Sequence, residues 1–233
     1  MALSLKSIFW FLSHPSSYGE CVRKVALAVK KRAGKNENSV NWCKERAVSI
    51  EEVITKITGQ VRDIEWIPSY HNTNALLLYN FAEYLMATKV VETEVFRGTS
   101  SSAILKSLCK RNGKLISTDI PTPELYAEPG EVVTDDLKPY WKVIQKPDRI
   151  SLPAAIKELG EIDLACYDSD KSYDGRIFGY ELMWKSLRKD GIFVSDDIND
   201  NFAFRDFCDD RGLKYLIAEN GGRYVGVVIK ENI

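Results

Sequence analysis

Residues 90–102 read VVETEVFRGTSSS, and residues 115–120 read LISTDI. A β-branched apolar run, a short turn, a string of hydroxyl residues and a second apolar run describe a strand, a tight turn, a helix start and a second strand ending at Asp119. Nucleotide-type cofactor sites are built this way, with a helix N-terminus facing the ligand and a strand-end acid accepting hydrogen bonds from a ribose diol. The first strand ends in Glu92-Thr93-Glu94, the turn runs to Arg97-Gly98-Thr99, and Ser100, Ser101 and Ser102 open the helix with a hydroxyl available to cap it. Glu94 stands where such turns carry glycine. A single strand-end aspartate also serves commonly as a turn or cap residue, so Asp119 has two readings at this level.

At 233 residues the chain can bury the core of one α/β domain with an appended N-terminal region. Lys and Arg number 32 against 33 Asp and Glu, a net charge of −1. That balance gives no electrostatic reason to expect nucleic acid. The five cysteines, Cys21, Cys43, Cys109, Cys166 and Cys208, show no CxxC spacing. Neither a zinc site nor a disulfide framework is expected, and reduced thiols in a cytoplasmic protein are the simplest reading. The apolar IFWFL at 8–12 is too short to span a bilayer. It reads as a helix face on the core, with a weak membrane or partner contact as the alternative.

Residues 1–73 read as a helical N-terminal extension on the acceptor side, followed by an α/β domain over 74–233. Residues 20–32 form an amphipathic helix with a basic, solvated face, and GKNEN at 34–38 reads as a loop. Ser49 is placed to cap a helix that fades at Thr58-Gly59, with Glu51 and Glu52 in its first turn. An apolar helix over 74–86 feeds the first strand. Strands are then expected at 89–95, 114–119, 141–145, 162–168, 191–196, 213–218 and 223–229, and helices at 100–111, 151–159, 174–188 and 200–211. The alternation argues for a largely parallel sheet covered on both faces. Asn220-Gly221-Gly222 is a hairpin signal, so the last strand should run antiparallel.

Two more strand ends carry acids. One reads YDSDKSY at 167–173, and the next ends in Ser195-Asp196-Asp197. Neighbouring strands lie about 4.8 Å apart, which would crowd Asp168, Asp196 and Asp197 together. Carboxylates that close repel, so some stay protonated or a cation joins them. A hard divalent ion such as Mg²⁺ takes such oxygen ligands. The alternative is that these acids cap the following helices, as Asp174 and Asp200 nearby can. His14 and His71 read as cap or loop residues, with His71 able to border an acceptor site. Trp10, Trp42, Trp66 and Tyr70 read as packing or as lining of an acceptor cleft, and Trp184 reads as core.

Taken in order, VVETEVFRGTSSSAIL, LISTDIP, IDLACYDSDKSYDGRIFGYELMWKSLRKDGIFVSDDI and AFRDF resemble class I S-adenosylmethionine-dependent methyltransferases. The resemblance is to the branch of macrocin-type O-methyltransferases and cephalosporin-hydroxylase-like proteins, and it covers residue 74 onward. It implies a Rossmann-like, seven-stranded, mostly parallel sheet with an antiparallel last strand. It also implies that Glu92, Thr93, Glu94, Gly98, Thr99, Ser100 and Ser101 lie against the amino-acid part of the cofactor, that Asp119 holds the ribose, and that Asp148 and Asp168 complete the cofactor site. Asp168, Asp196 and Asp197 fall on Mg²⁺-ligand positions, and Asp170 falls near a candidate general base, with Lys171 beside it. The implied chemistry is methyl transfer from a sulfonium to the hydroxyl of a small acceptor, a sugar or natural-product intermediate, with Mg²⁺ assistance. Related proteins often self-associate, so a homo-oligomer is among the expected partners.

The chain departs from the family pattern at three places. A non-glycine residue at position 94 costs about 1–2 kcal/mol if the turn needs positive φ. A carboxylate about 4 Å from the cofactor's own would add repulsion of about 4 kcal/mol at an effective dielectric near 20, nearly three orders of magnitude in affinity. Glu94 escapes that cost if it faces the sulfonium or pairs with Arg97. Lys171 stands where relatives carry histidine; it can act as a base only if burial lowers its pKa, or it can pair with an aspartate and displace the metal. Lys146-Pro147-Asp148 stands where relatives have a Gly-Asp pair, so the adenine-side acid is either shifted to Asp148 or missing. A methyltransferase-fold binding protein without transfer activity is therefore the competing reading. A nicotinamide-dependent dehydrogenase is disfavoured by the absence of GxGxxG.

Overall fold

The computed structural model describes residues 37–64, 74–120 and 129–231. The 8–12 run, the 20–32 helix, His14, His71, Trp10, Trp66 and Tyr70 lie outside the described residues. In chain order the elements are α1 (Glu37–Lys44), β1 (Ala47–Ser49), α2 (Ile50–Thr58), α3 (Ala75–Tyr84), β2 (Lys89–Thr93), α4 (Thr99–Leu108), β3 (Lys114–Asp119), β4 (Trp141–Gln145), α5 (Asp148–Leu159), β5 (Ile162–Tyr167), α6 (Tyr173–Ser186), β6 (Leu187–Ser195), α7 (Ala203–Asp209), β7 (Tyr215–Asn220) and β8 (Arg223–Ile229). Helix α1 begins inside the segment expected to be a loop, at Glu37, whose acid suits a helix N-terminus. At α2 the expectation holds in detail: Ser49 Oγ accepts from the Glu52 amide at 3.1 Å, and Gly59 closes the helix at φ +80°.

The sheet has eight strands in the order β1-β7-β8-β6-β5-β2-β3-β4. Only β8 runs antiparallel, inserted between β6 and β7. Asn220-Gly221-Gly222 makes the hairpin that reverses it, with both glycines at positive φ. The sequence reading counted seven strands. The eighth is β1, whose three residues pair parallel with Ile217, Ala218 and Glu219 of β7. It belongs to the N-terminal stretch, which thereby contributes to the sheet itself.

Strand residues alternate between two apolar layers, as a sheet buried on both faces requires. Val90, Leu115, Leu164 and Ile192 pack with Ile54, Leu77, Phe81 and Ile104 of α2, α3 and α4. Val91, Ile116, Ala165 and Phe193 pack with Leu152, Tyr180 and Phe207 of α5, α6 and α7. Trp42 stacks against Phe202 and Tyr215, and Trp184 meets Phe207 edge-on. The chain runs outward from β2 through β3 to β4, then returns to β5 on the other side of β2. That switch puts a crevice beyond the carboxyl ends of β2 and β5. No helix among the described residues is long and apolar enough to cross a membrane.

Candidate active site

The turn after β2 is held from two sides. Glu94 takes φ +66° and donates its amide to the Thr118 carbonyl at 2.7 Å. Asp119 Oδ2 accepts the amides of Val95 and Phe96 at 3.1 and 3.2 Å. This oxygen of Asp119 therefore shapes the turn. On the other side, Gly130 and Val132 donate to the carbonyls of Phe96 and Arg97, and an Arg97–Glu131 ion pair closes the strap. Gly98 is required twice over. Its φ is +89°, and a Cβ there would sit 2.7 Å from Gly130 Cα.

Glu92 is buried and accepts three hydroxyl hydrogen bonds, from Ser100 and Ser101 at 2.6 Å and from Ser117 at 2.7 Å. Ser117 Oγ in turn accepts from Trp141 Nε1 at 2.9 Å. Burial raises the Glu92 carboxyl above its ordinary value, and the three hydroxyls oppose it. Ser100 and Ser101 thus serve the strand end instead of capping their helix. No side chain caps α4 at Gly98, so its first turn is left to face the crevice.

The acids at the ends of β5 and β6 do converge. One carboxylate oxygen from each of Asp168, Asp196 and Asp197 lies within 4.8 Å of the others. Thr93 Oγ1 accepts the amides of Asp168 and Ser169, tying β2 to the β5 end. Asp197 has φ +50°, and Asp196 Oδ1 accepts the Asp197 amide at 2.8 Å. Beneath them lies Arg176, fully buried. Its Nη1 donates to Ser195 Oγ, Tyr180 Oη and the Asp196 carbonyl, and its Nη2 donates to the Asp197 carbonyl at 2.8 Å.

Lys171 enters this cluster from the side. Its ammonium is ion-paired with Asp168 Oδ1 and lies 3.6 Å from Asp197 Oδ2. Burial works against its charge, but Asp168 and Asp197 prevail and hold it above the ordinary lysine value. Lys171 is therefore a cation and cannot serve as a base. Withdrawal from water, together with Asp196, Glu94 and Asp197, pushes Asp168 upward against the pull of Lys171. Burial likewise pushes the Cys166 thiol up, which leaves it inert.

One cavity of about 360 Å³ joins these parts. Of the residues expected at the site, Glu92, Thr93, Glu94, Gly98, Thr99, Ser100, Asp168, Lys171, Asp196 and Asp197 line it. Ser101 reaches it through Glu92. Asp119, Asp148 and Asp170 are not among its lining residues. Asp148 is buried in the first turn of α5, 3.4 Å from Thr118 Oγ1. Asp170 Oδ1 accepts the Ser172 amide, and its carboxyl packs where Gly175 leaves room, because a Cβ there would lie 2.3 Å away. Sequence reasoning missed Phe96 and Arg223 on the cavity wall, and Arg176 beneath it. A readable signal for Arg176 was Gly175 and Gly179, one turn apart in α6. They mark the helix face that presses on Asp170 and Tyr167.

A family model described as a methyltransferase domain matches residues 91–198. No curated relative matches the sequence. Among solved structures, the chain is similar to the O-methyltransferase from Bacillus cereus in complex with SAH, at 14% identity and TM-score 0.55, covering 89% of this chain and 97% of that one. It is also similar to TomG from Streptomyces achromogenes, an O-methyltransferase involved in tomaymycin synthesis and solved with SAM, at 13% identity and TM-score 0.56, covering 78% and 96%. A third is the SAH-bound methyltransferase of Podospora anserina, at 14% identity and TM-score 0.50, covering 84% and 95%. At such identities the structural likeness speaks to the fold, and the family match speaks to residues 91–198. Residues 91–198 are thus similar to a methyltransferase domain, and the described chain shares the fold of these S-adenosylmethionine- and SAH-bound methyltransferases.

Proposed function

We propose that the protein is an S-adenosylmethionine-dependent O-methyltransferase acting on a small hydroxylated acceptor, a sugar or natural-product intermediate. One observation carries this reading: a single cavity brings together the uncapped N-terminus of α4, the acidic end of β2 and the carboxylates ending β5 and β6. Its size falls within the roughly 300–1,000 Å³ typical of small-ligand sites. The first-turn amides of α4 suit the cofactor's carboxylate, and Asp119 contributes by holding the turn that presents them. When bound, the cofactor supplies an electrophilic methyl on a sulfonium sulfur. In this proposal Asp168, on the cavity wall, takes the hydroxyl proton. Asp170, which does not line the cavity, supports the loop instead. In-line positioning by the cavity walls supplies much of the rate.

The donor set fits Mg²⁺ poorly. The three carboxylates are close enough, but the Lys171 ammonium already lies among them, so the positive charge at this spot is the protein's own. A cytoplasmic setting and self-association belong to the same proposal. Glu94 in a left-handed conformation and Lys171 in the acid cluster favour a second reading, a binding protein without turnover. Calorimetric titration of the full chain with S-adenosylmethionine and its demethylated product tests the first. Micromolar binding is expected, and ligand at about 100 Kd should stabilise the fold by about 2.7 kcal/mol, raising Tm by about 5–10 °C. No binding at millimolar cofactor would sink the proposal. Binding with no cofactor conversion across a panel of hydroxylated acceptors would favour the second reading.

A further inference from the structure

We propose that Lys171 is the resident cation of the acid cluster, so that this site holds its acceptor oxygen through an ammonium and without a divalent metal. The inference rests on the methyltransferase reading and narrows its substrate class. Lys171 is positioned from both ends. Its carbonyl accepts from Asn201 Nδ2 at 2.9 Å, and its ammonium is gripped by Asp168 and Asp197. Its side chain is 19% exposed, and Lys171 lines the cavity. An ammonium has three N–H donors; two carboxylates engage it, and the cavity is where a third donor meets a ligand oxygen. The cluster's frame does not depend on a metal, because buried Arg176 fixes the Asp196 and Asp197 carbonyls from below.

The substitution changes what the site selects. Mg²⁺ demands near-octahedral oxygen ligands at fixed distances, so it favours acceptors offering two vicinal oxygens. An ammonium is a compact point charge that steadies one oxygen and imposes no second. The structure thus points to acceptors presented through a single hydroxyl.

The test is a titration of Mn²⁺ and Mg²⁺ into the full-length wild type, Lys171→Ala and Lys171→Gln, followed by calorimetry and Mn²⁺ paramagnetic resonance, with no cofactor or acceptor present. The wild type should show no saturable binding up to about 10 mM, whereas removing Lys171 should expose the carboxylates and tighten binding by at least about tenfold, into the range of ordinary carboxylate sites. Adding Asp196→Asn to either variant should abolish the gain. Saturable wild-type binding that Asp196→Asn removes would overturn the proposal, and this arm needs no Lys171 variant to fold. Absence of binding in every variant would overturn it too, because the cluster would then be no cation site for Lys171 to fill. Neither outcome depends on cofactor binding, so failure of the methyltransferase reading stays separately visible.

Discussion

Glu94 holds φ +66° in the turn after β2, on the cavity wall. A β-carbon in the left-handed region costs about 1–2 kcal/mol, and glycine returns part of that as lost chain entropy. Glu94→Gly should therefore raise stability by about 1 kcal/mol, seen in scanning calorimetry as a Tm increase of about 2–4 °C. Glu92 supplies a pH signature. Unfolded, its carboxyl ionises near the ordinary 4.5, whereas folded it ionises only at a higher pH. Its contribution to stability is thus fully present below 4.5 and is lost as pH rises through the folded value. Glu92→Gln should flatten this fall, so the Tm of the wild type relative to the variant should decline from acidic to alkaline pH. A matched pH dependence in the two proteins would contradict it. Much at this scale was legible in the sequence. A turn that ordinarily carries glycine announced a left-handed position at 94, and acids at two strand ends announced a cluster. The inward use of Asp119 was not legible, because a strand-end acid reads the same whether it faces a ligand or the amides of its neighbouring turn. The sequence left Lys171 open between a base and an ion-paired cation, and only the distances to Asp168 and Asp197 decide between them.

At the scale of elements, the hairpin strand β8 is packed without slack. Gly226 lies in its middle, and a Cβ there would come within 2.3 Å of the Phe204 ring of α7. Phe204 cannot retreat easily, because Tyr180 and Tyr215 stack on it edge-on. Gly226→Ala should destabilise by about 1–3 kcal/mol through overpacking, lowering the urea midpoint with little change in slope. An unchanged midpoint would show that the layer is looser than described. From residue 89 onward the elements fall close to where apolar periodicity places them. The start of β6 differs: it begins at Leu187, where the sequence leads one to expect a helix running to 188 and a strand only from 191. A register shift against β5 between Ile162 and Leu164 and the left-handed Asp190 let the charged stretch stay in the ladder. Asp163 anchors it by accepting from Arg188 Nε at 2.7 Å and from the Thr88 and Lys89 amides.

Over the whole molecule, the order of strands puts the cavity where the chain switches from the β2-β3-β4 side of the sheet to the β5-β6 side. That placement follows from alternating strands and helices, so a sequence with the right alternation already implies it. Strand β1 could not be foreseen. Three residues are too few to show a period of two, and the partner that makes them a strand lies at 217–219. These three residues shield the outer border of β7, whose backbone would otherwise stand open to pairing by a foreign strand. A chain shortened to residue 74 would keep every residue of the cavity wall and yet gain an adhesive seam. Strand β1 therefore leaves the sheet with a three-residue border in place of the longer one that β7 would present.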